Sequence, residues 1–329
     1  MLAAVGAPLP ASGRYRVQGL QMRAGLELWA GRAGARLLLK DDESRPTLAA
    51  RLHAELLARG CRFVLGPYGS DSTRAVAEGR PGIVWNHGAA ADDVQRLPGV
   101  VSLASPASRY LVALGRAVAL LRPGASVTLV AVTGRFARYA REGLEREAAR
   151  LGLTLLASFS FRDPPAAVVE RRPQAVLLCG PTAREVALFR VLSSLAPMAL
   201  LGGVSPGLAA FPTLLGGDPE GLLAPVQWHT DLAGAPRLGP SSAELVADAR
   251  ASGLDELDYV AAQAYAACLL AAHCLELDPG DPLAAARRLR TTTFFGAFEL
   301  DPAGLQRGHR LAVIRWRGGR RRLLLADAA

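Results

Sequence analysis

FVLGPYGSDSTRAVA, residues 63–77, decides how the chain folds. Phe63 to Leu65 read as the end of a buried strand. Gly66-Pro67-Tyr68-Gly69-Ser70 reads as a turn with Ser70 at the helix N-cap, and helical spacing follows from Asp71 with hydroxyls at Ser72 and Thr73. A strand that passes through such a turn into a helix aims first-turn N–H groups at whatever lies in front of the sheet. That position is a ligand edge in open α/β proteins.

The same unit recurs on both sides. LAAVG precedes a helical segment from about Gln18 to Ala30, ARLLLKDD one from about Pro46 to Arg59, and GIVWN follows at Gly82. After VVSLASPASRY a second series begins. A helix near Ser108–Leu121 leads to SVTLVAV, a helix near Tyr139–Leu151, LTLLASFSF, QAVLLCG, a helix at Thr182–Leu195, MALLGG and GLLAPVQW. Strands alternating with helices argue for parallel sheets covered on both faces. The tail adds helices near Ser241–Ser252, Asp258–Leu277 and Pro282, then closing strands.

The chain has 329 residues, room for about two domains. Half of it is hydrophobic and 20% charged, an ordinary globular composition. The longest apolar segment, YVAAQAYAACLLAAHCLEL, is interrupted by Gln263, His273 and Cys274 and reads as a buried helix, so no membrane insertion is expected. LAAVGAPLP after Met1 has neither the basic region nor the long apolar core of an export leader. A cytoplasmic protein and an exported one whose leader has been removed both fit.

Net charge is +9, and Lys40 is the one lysine among 38 basic residues. Arg315, Arg317, Arg320, Arg321 and Arg322 flank Gly318-Gly319 and read as a hairpin with a solvated face. No nucleic-acid-reading motif accompanies the charge, so nucleic acid is not an expected partner. Cys61, Cys179, Cys268 and Cys274 have no metal-binding spacing and read as buried free thiols. There is no phosphate-binding Gly-Lys loop and no dinucleotide fingerprint. Asp41 and Asp42 at a strand end fit loop N–H groups better than a metal. No cofactor is implied.

GVSPG, residues 203–207, has the form of a hydrolase nucleophile elbow. Pro206 follows the serine, however, and has no N–H to give an oxyanion. No residue is assigned a catalytic role, and the chain reads as a non-enzyme.

In order along the chain, GAPLPASGRYRVQGLQMRAGLEL, LLLKDDESRPTLAARLHAELLARG, FVLGPYGSDSTRAVA, GIVWNHGAAA and FFGAFELDPAGLQRGHRLAVIRW resemble the type I periplasmic substrate-binding proteins. The closer likeness is to the branched-chain amino-acid-binding receptors of ABC transporters. The resemblance implies two doubly wound α/β lobes joined by three crossovers, with ligand capture by hinge closure. The lobes would comprise residues 1–104 with 230–300, and 105–229 with 301–329. The third crossover would fall near Leu300–Arg307.

The resemblance also implies the site. Ser70, with Tyr68 and Gly69, would hold a ligand carboxylate. The family's second loop is here Ala89, Ala90 and Ala91, which offers backbone groups where relatives often carry threonine. His87 beside it is either a ligand contact or a strand-end histidine bonded to backbone. Tyr15 lies in the first loop, where an aromatic group is common. An aromatic lid from the other lobe would be Phe136, by helix length, or Tyr139, by the local Glu-Gly-Leu pattern. Thr182 and Ser205 would close that side. Amino-acid-binding relatives can carry a carboxylate at the position of Val204. Its absence argues against an ordinary α-amino acid, since a buried ammonium needs a counter-charge. Asp92 or Asp231 could substitute. Trp85, Trp228 and His229 are compatible with a flat ligand or with core packing.

The expected function is an extracytoplasmic solute receptor that traps a small polar, carboxylate-bearing and amino-acid-like molecule in an interlobe cleft by hinge closure, partnered by ABC permease subunits. A cytoplasmic amide or amino-acid sensor on the same fold is the alternative, and a serine hydrolase using Ser205 the third.

Overall fold

The computed structural model describes residues 4–79, 82–232, 234–254 and 256–326. The chain divides into two units, Met1–Pro106 with Thr230–Arg310, and Ala107–His229 with Leu311–Ala329.

The first unit opens with β1 (Ala4–Leu9), a 3-10 turn at Gly13–Tyr15, and α1 (Arg16–Ala33). Then come β2 (Arg36–Asp41), α2 (Pro46–Ala58), β3 (Phe63–Val64), α3 (Ser70–Glu78), β4 (Val84–Asn86), α4 (Asp92–Gln95) and β5 (Val100–Ser102). β1 pairs in parallel with β2 and β3, β4 with β5, and a parallel bridge from Leu65 to Trp85 connects the two sets. The strand order is therefore β2-β1-β3-β4-β5, with every C-terminal end on one edge.

In the second unit α5 (Tyr110–Leu121) is followed by β6 (Ser126–Ala131), α6 (Arg135–Glu147), β7 (Thr154–Phe159), α7 (Pro165–Val169) and β8 (Ala175–Cys179). α8 (Thr182–Leu195), β9 (Leu200–Gly203), α9 (Phe211–Leu215) and β10 (Leu223–Val226) complete the series. The parallel strands run β7-β6-β8-β9-β10, the same relative order as in the first unit. β8 reads AVLLC and is buried at every position, as a central parallel strand covered on both faces must be.

The chain then returns to the first unit as α10 (Ser242–Ala251), α11 (Tyr259–Leu277), α12 (Pro282–Arg288) and the hairpin β11 (Thr291–Thr293) and β12 (Gly296–Phe298). α10 starts with a capping box in which Ser241 and Glu244 satisfy each other's backbone N–H. Among the described residues only α11 is long and apolar enough to cross a membrane, and most of it is buried. It packs on α1 so closely that a Cβ at Gly25 would stand 2.1 Å from the Ala261 carbonyl oxygen. Finally β13 (Ala312–Arg317) joins the second sheet antiparallel to β10, and β14 (Arg320–Ala326) pairs antiparallel with β13 at its edge.

Three expectations shift. Residues 301–310 pack with the first unit rather than the second, because Gln306 Nε2 donates to the Leu103 carbonyl at 3.0 Å and His309 Nδ1 lies 2.8 Å from Ser105 Oγ. The third crossing therefore follows Arg310, beyond the expected Leu300–Arg307. α6 starts at Arg135 rather than Tyr139, since extended Gly134 serves as its N-cap. α3 is capped by Gly69, at φ 99°, and Ser70 is its first helical residue.

Candidate functional site

On the first unit, the loops at the strand C-terminal ends hold one another. Asp41 accepts the Ser12 N–H and hydroxyl at 3.2 and 2.8 Å, and the Glu43 N–H at 2.9 Å. Burial raises its pKa, but these donors outweigh it and the carboxyl sits below its usual range. Ser44 Oγ donates to the Ser12 carbonyl and accepts the Tyr15 N–H at 3.0 and 3.1 Å. Asp41, at the end of β2, and Ser44 thus set the loop that presents Tyr15. Neighbouring Asp42 is fully buried, and burial pushes its pKa up to about 6.

Tyr15 meets Tyr68 edge-on, with ring centroids 5.4 Å apart. Tyr68 in turn lies 6.1 Å from the His87 ring. Glycines make these approaches possible. A Cβ at Gly88 would stand 2.6 Å from Tyr68 Cδ2, and one at Gly69 would stand 2.9 Å from Tyr15 Cε2. Gly69 is also in the positive-φ region that favours glycine.

Ser70 and the alanine loop meet directly, the Ala91 N–H donating to Ser70 Oγ at 3.2 Å. Ser70 keeps its own hydroxyl hydrogen for another acceptor. Behind the loop, buried Asn86 accepts the Ala89 N–H and donates to the Ala89 carbonyl, both at 2.8 Å. Two of the three alanine N–H groups expected to face ligand are therefore used within the protein. Ala90 is the alanine whose N–H has no partner among the described residues. The first intrahelical bond of α3 is Thr73 N–H to Gly69 O at 3.0 Å, so the Ser70, Asp71 and Ser72 amides precede it at the helix's positive end.

His87 is fully buried, and neither ring nitrogen has a well-formed hydrogen bond. Burial drives its pKa down to about 3, against a weaker upward pull from the Gly66 backbone. It is a neutral imidazole beside the Tyr68 ring. Trp85 and Trp228 are buried core residues. Asp92 is buried in the first turn of α4, and Asp231 accepts from the neighbouring Thr230 hydroxyl.

On the second unit, the loops after β8 and β9 converge on Glu185, which the sequence reading missed. Its Oε1 accepts the Gly180 N–H and its Oε2 the Ser205 N–H, each at 2.8 Å. The Val204 N–H and Ser205 hydroxyl also act on it. Burial pushes its pKa up to about 7, and the donors offset this only in part. The sequence did hold a signal: Glu185, Leu188, Phe189 and Leu192 form the buried stripe of α8.

Glu185 thus fixes Val204 and Ser205, while Thr182 opens α8 one turn earlier, half-buried. Ser205 is 4% exposed and opens a 3-10 turn, unlike a strand-to-helix nucleophile elbow. The next two carbonyls are held from β13 and β14. Trp316 Nε1 donates to Pro206 O at 2.7 Å and Arg321 to Gly207 O at 2.8 Å.

Phe136 and Tyr139 both lie on α6 and are half-buried. Phe136 packs edge-on against Tyr110 at 4.9 Å, and Tyr110 accepts from Gln227 Nε2. Tyr139 lies beneath the Arg138 guanidinium at 4.8 Å.

The periplasmic binding protein profile matches residues 3–320, nearly the whole chain. The chain belongs to the periplasmic binding protein family. The architecture is the family's type I fold, two α/β units built on parallel sheets. LivJ from Streptococcus pneumoniae, a branched-chain amino-acid transporter substrate-binding protein solved with isoleucine, superposes with a TM-score of 0.85 at 15% identity, covering 99% of each chain. The leucine-binding protein LivK from Thermotoga maritima gives 0.85 at 16% identity, covering 99% of this chain and 98% of that one. A Rhodopseudomonas palustris ABC-transporter solute-binding protein solved with benzoate gives 0.79 at 20% identity, covering 100% and 97%. No curated protein sequence matches the chain significantly.

In this periplasmic binding protein, Tyr15, Tyr68, Gly69, Ser70, His87 and Ala89–Ala91 come together at one edge of the first unit. Thr182, Val204 and Ser205 come together around Glu185 in the second.

Proposed function

We propose that the chain is the solute-binding receptor of an ABC transporter, and that its ligand is a small monocarboxylate with an uncharged apolar or aromatic body. The observation that carries this is the Ser70 turn. A hydroxyl with its hydrogen to spare stands at the start of α3, beside the Tyr15–Tyr68 aromatic pair. A helix N-terminus favours an anion, and the aromatic faces suit an apolar body.

The second unit's loops favour an uncharged tail. Val204 brings no side-chain charge, and the carboxylate beneath it, Glu185, is occupied by backbone N–H groups. An ammonium group would lack a ready partner there. The structural relatives span both ligand types, with isoleucine in one and benzoate in another. The reading includes capture by closure about the chain crossings, work at the extracytoplasmic face of a membrane, and delivery to permease subunits.

The test is thermal shift with benzoate, 4-hydroxybenzoate, isoleucine, leucine and benzamide. A ligand at a hundred times its Kd adds about 2.7 kcal/mol. An aromatic carboxylate is expected to raise Tm, benzamide is not, and Ser70→Ala should cut the rise to about half or less. A shift by isoleucine alone would restore the amino-acid reading. No shift with any of the five would overturn the monocarboxylate assignment.

A further inference from the structure

The arginine-rich hairpin plays no part in that reading. Its register sets Arg315 opposite Arg322 and Arg317 opposite Arg320, with Trp316 opposite Arg321 between them. Side chains alternate along strands, so four arginines share one face in a two-by-two grid. Cross-strand neighbours in such a grid have Cβ atoms about 5 Å apart, and like charges placed directly opposite are destabilising. Trp316 and Arg321 take the other face and bind Pro206 and Gly207. Arg317, Arg320 and Arg322 are exposed and Arg315 is half-buried. Arg122, at the end of α5, adds its charge to that of Arg315. The acid that answers this group is Glu220, 3.0 Å from Arg317 and accepting the Gly318 N–H.

Neither folding nor composition accounts for the grid. β14 is the sheet's outer strand, and a charge there blocks edge-to-edge pairing. That explains Arg320 and Arg322 but not their partners on inner β13. An arginine-rich composition would spread charge evenly, yet the second unit holds 18 of the 38 basic residues and 9 of the 29 acidic ones. The first unit holds 20 of each, so the whole net charge of +9 belongs to the second. Such asymmetry marks a surface for an anionic partner.

The shape of the face selects among polyanions. No aromatic ring lies on it, since Trp316 points away, so unpaired bases have nothing to stack on. It is a short ribbon with no groove-reading helix or motif. What it presents is an even array of guanidinium groups, suited to a dense field of phosphates. It points away from the face through which Trp316 and Arg321 hold the Pro206 and Gly207 carbonyls, and its turn lies beside Leu223, the start of β10.

We propose that the face formed by Arg315, Arg317, Arg320 and Arg322 docks on an anionic phospholipid surface, holding the second unit against the membrane. The contact is peripheral and reversible, and it does not depend on which solute is bound. Each arginine near an anionic bilayer multiplies partitioning about fivefold.

The experiment uses the full chain with sucrose-loaded phosphatidylcholine vesicles, with and without phosphatidylglycerol, in a co-sedimentation assay. Wild type is expected to bind only the phosphatidylglycerol vesicles and to release in high salt. Arg320→Gln/Arg322→Gln should weaken this about 25-fold. Arg146→Gln/Arg150→Gln, which removes the same charge from α6 and the residues after it, should weaken it far less. The hairpin variant should melt no lower than wild type, because both cross-strand like-charge pairs are relieved. Equal losses in the two variants would overturn the proposal in favour of net charge alone. Equal binding to phosphatidylcholine vesicles would overturn it, as would no binding to either. Competition by soluble polyglutamate or duplex DNA at matched charge would replace the lipid with another polyanion.

Discussion

Glu185 Oε2 accepts the backbone N–H of Ser205 at 2.8 Å, so a carboxylate from α8 holds the loop after β9 in place. Glu185→Ala should leave the Gly180 and Ser205 N–H groups buried without an acceptor and cost about 3 kcal/mol. Denaturant unfolding measures this. Glu185→Gln separates charge from shape. The folded pKa is about 7 against an ordinary 4.5, so the folded state binds the extra proton between those values. That contribution is full below pH 4.5 and lost as pH rises through 7. Wild type's advantage over Glu185→Gln should therefore shrink by about 3 kcal/mol across the interval. An advantage constant with pH would mean that Glu185 is ionised throughout.

Two buried histidines work in the opposite sense. His87 has its pKa lowered from 6.5 to about 3 and His53 to about 4, each chiefly by burial. Below pH 6.5 the unfolded chain takes up protons that the folded chain refuses, so stability present above that pH is lost on acidification. His87→Phe should flatten the wild-type slope by about 1.4 kcal/mol per pH unit between pH 6 and pH 4. Urea melts of both proteins at several pH values read the difference. Parallel curves would place a hydrogen-bond partner on the imidazole.

The α/β rhythm and the Ser70 turn were legible because they rest on local signals. Continuous apolar runs such as AVLLC mark buried parallel strands, and Gly-Pro-Tyr-Gly marks a strand-to-helix turn. Contacts that depend on register between distant segments were not. Glu185 lies on the buried stripe of α8, but only the fold brings the Gly180 and Ser205 N–H groups to it. Asn86 reads as a strand end, yet it fastens the alanine loop and removes the Ala89 N–H from the ligand's reach. Residues 301–310 follow an apparent crossover in sequence, but Gln306 ties them to Leu103 in the first unit. The hairpin arginines were visible as a cluster, whereas their pairing on one face needs the register.

The glycine positions give a test that is independent of any ligand. Gly88→Ala would force its Cβ to 2.6 Å from Tyr68 Cδ2, and Gly69→Ala adds a positive φ to a 2.9 Å contact with Tyr15. Each should cost about 1–3 kcal/mol. Gly31→Ala on α1, where nothing lies within 4 Å, should be neutral or slightly stabilising. Similar melting temperatures for all three would mean that the Tyr15–Tyr68 pair does not hold its place.

Ser70→Ala separates holding a loop from holding a ligand. Ser70 Oγ accepts a partly buried bond from Ala91 at 3.2 Å, and losing it should cost about 1 kcal/mol. A carboxylate that also takes the Ser70 hydroxyl hydrogen loses a charge-assisted bond, so affinity should fall about tenfold to a hundredfold. Ser70→Thr keeps the hydroxyl and should recover part of both. Titration calorimetry with the carboxylate found by thermal shift reads the binding arm, and unfolding without ligand reads the stability arm. If Ser70→Ala weakens binding no more than its effect on stability predicts, the serine only fastens the alanine loop. The anion would then rest on the first-turn N–H groups of α3 alone.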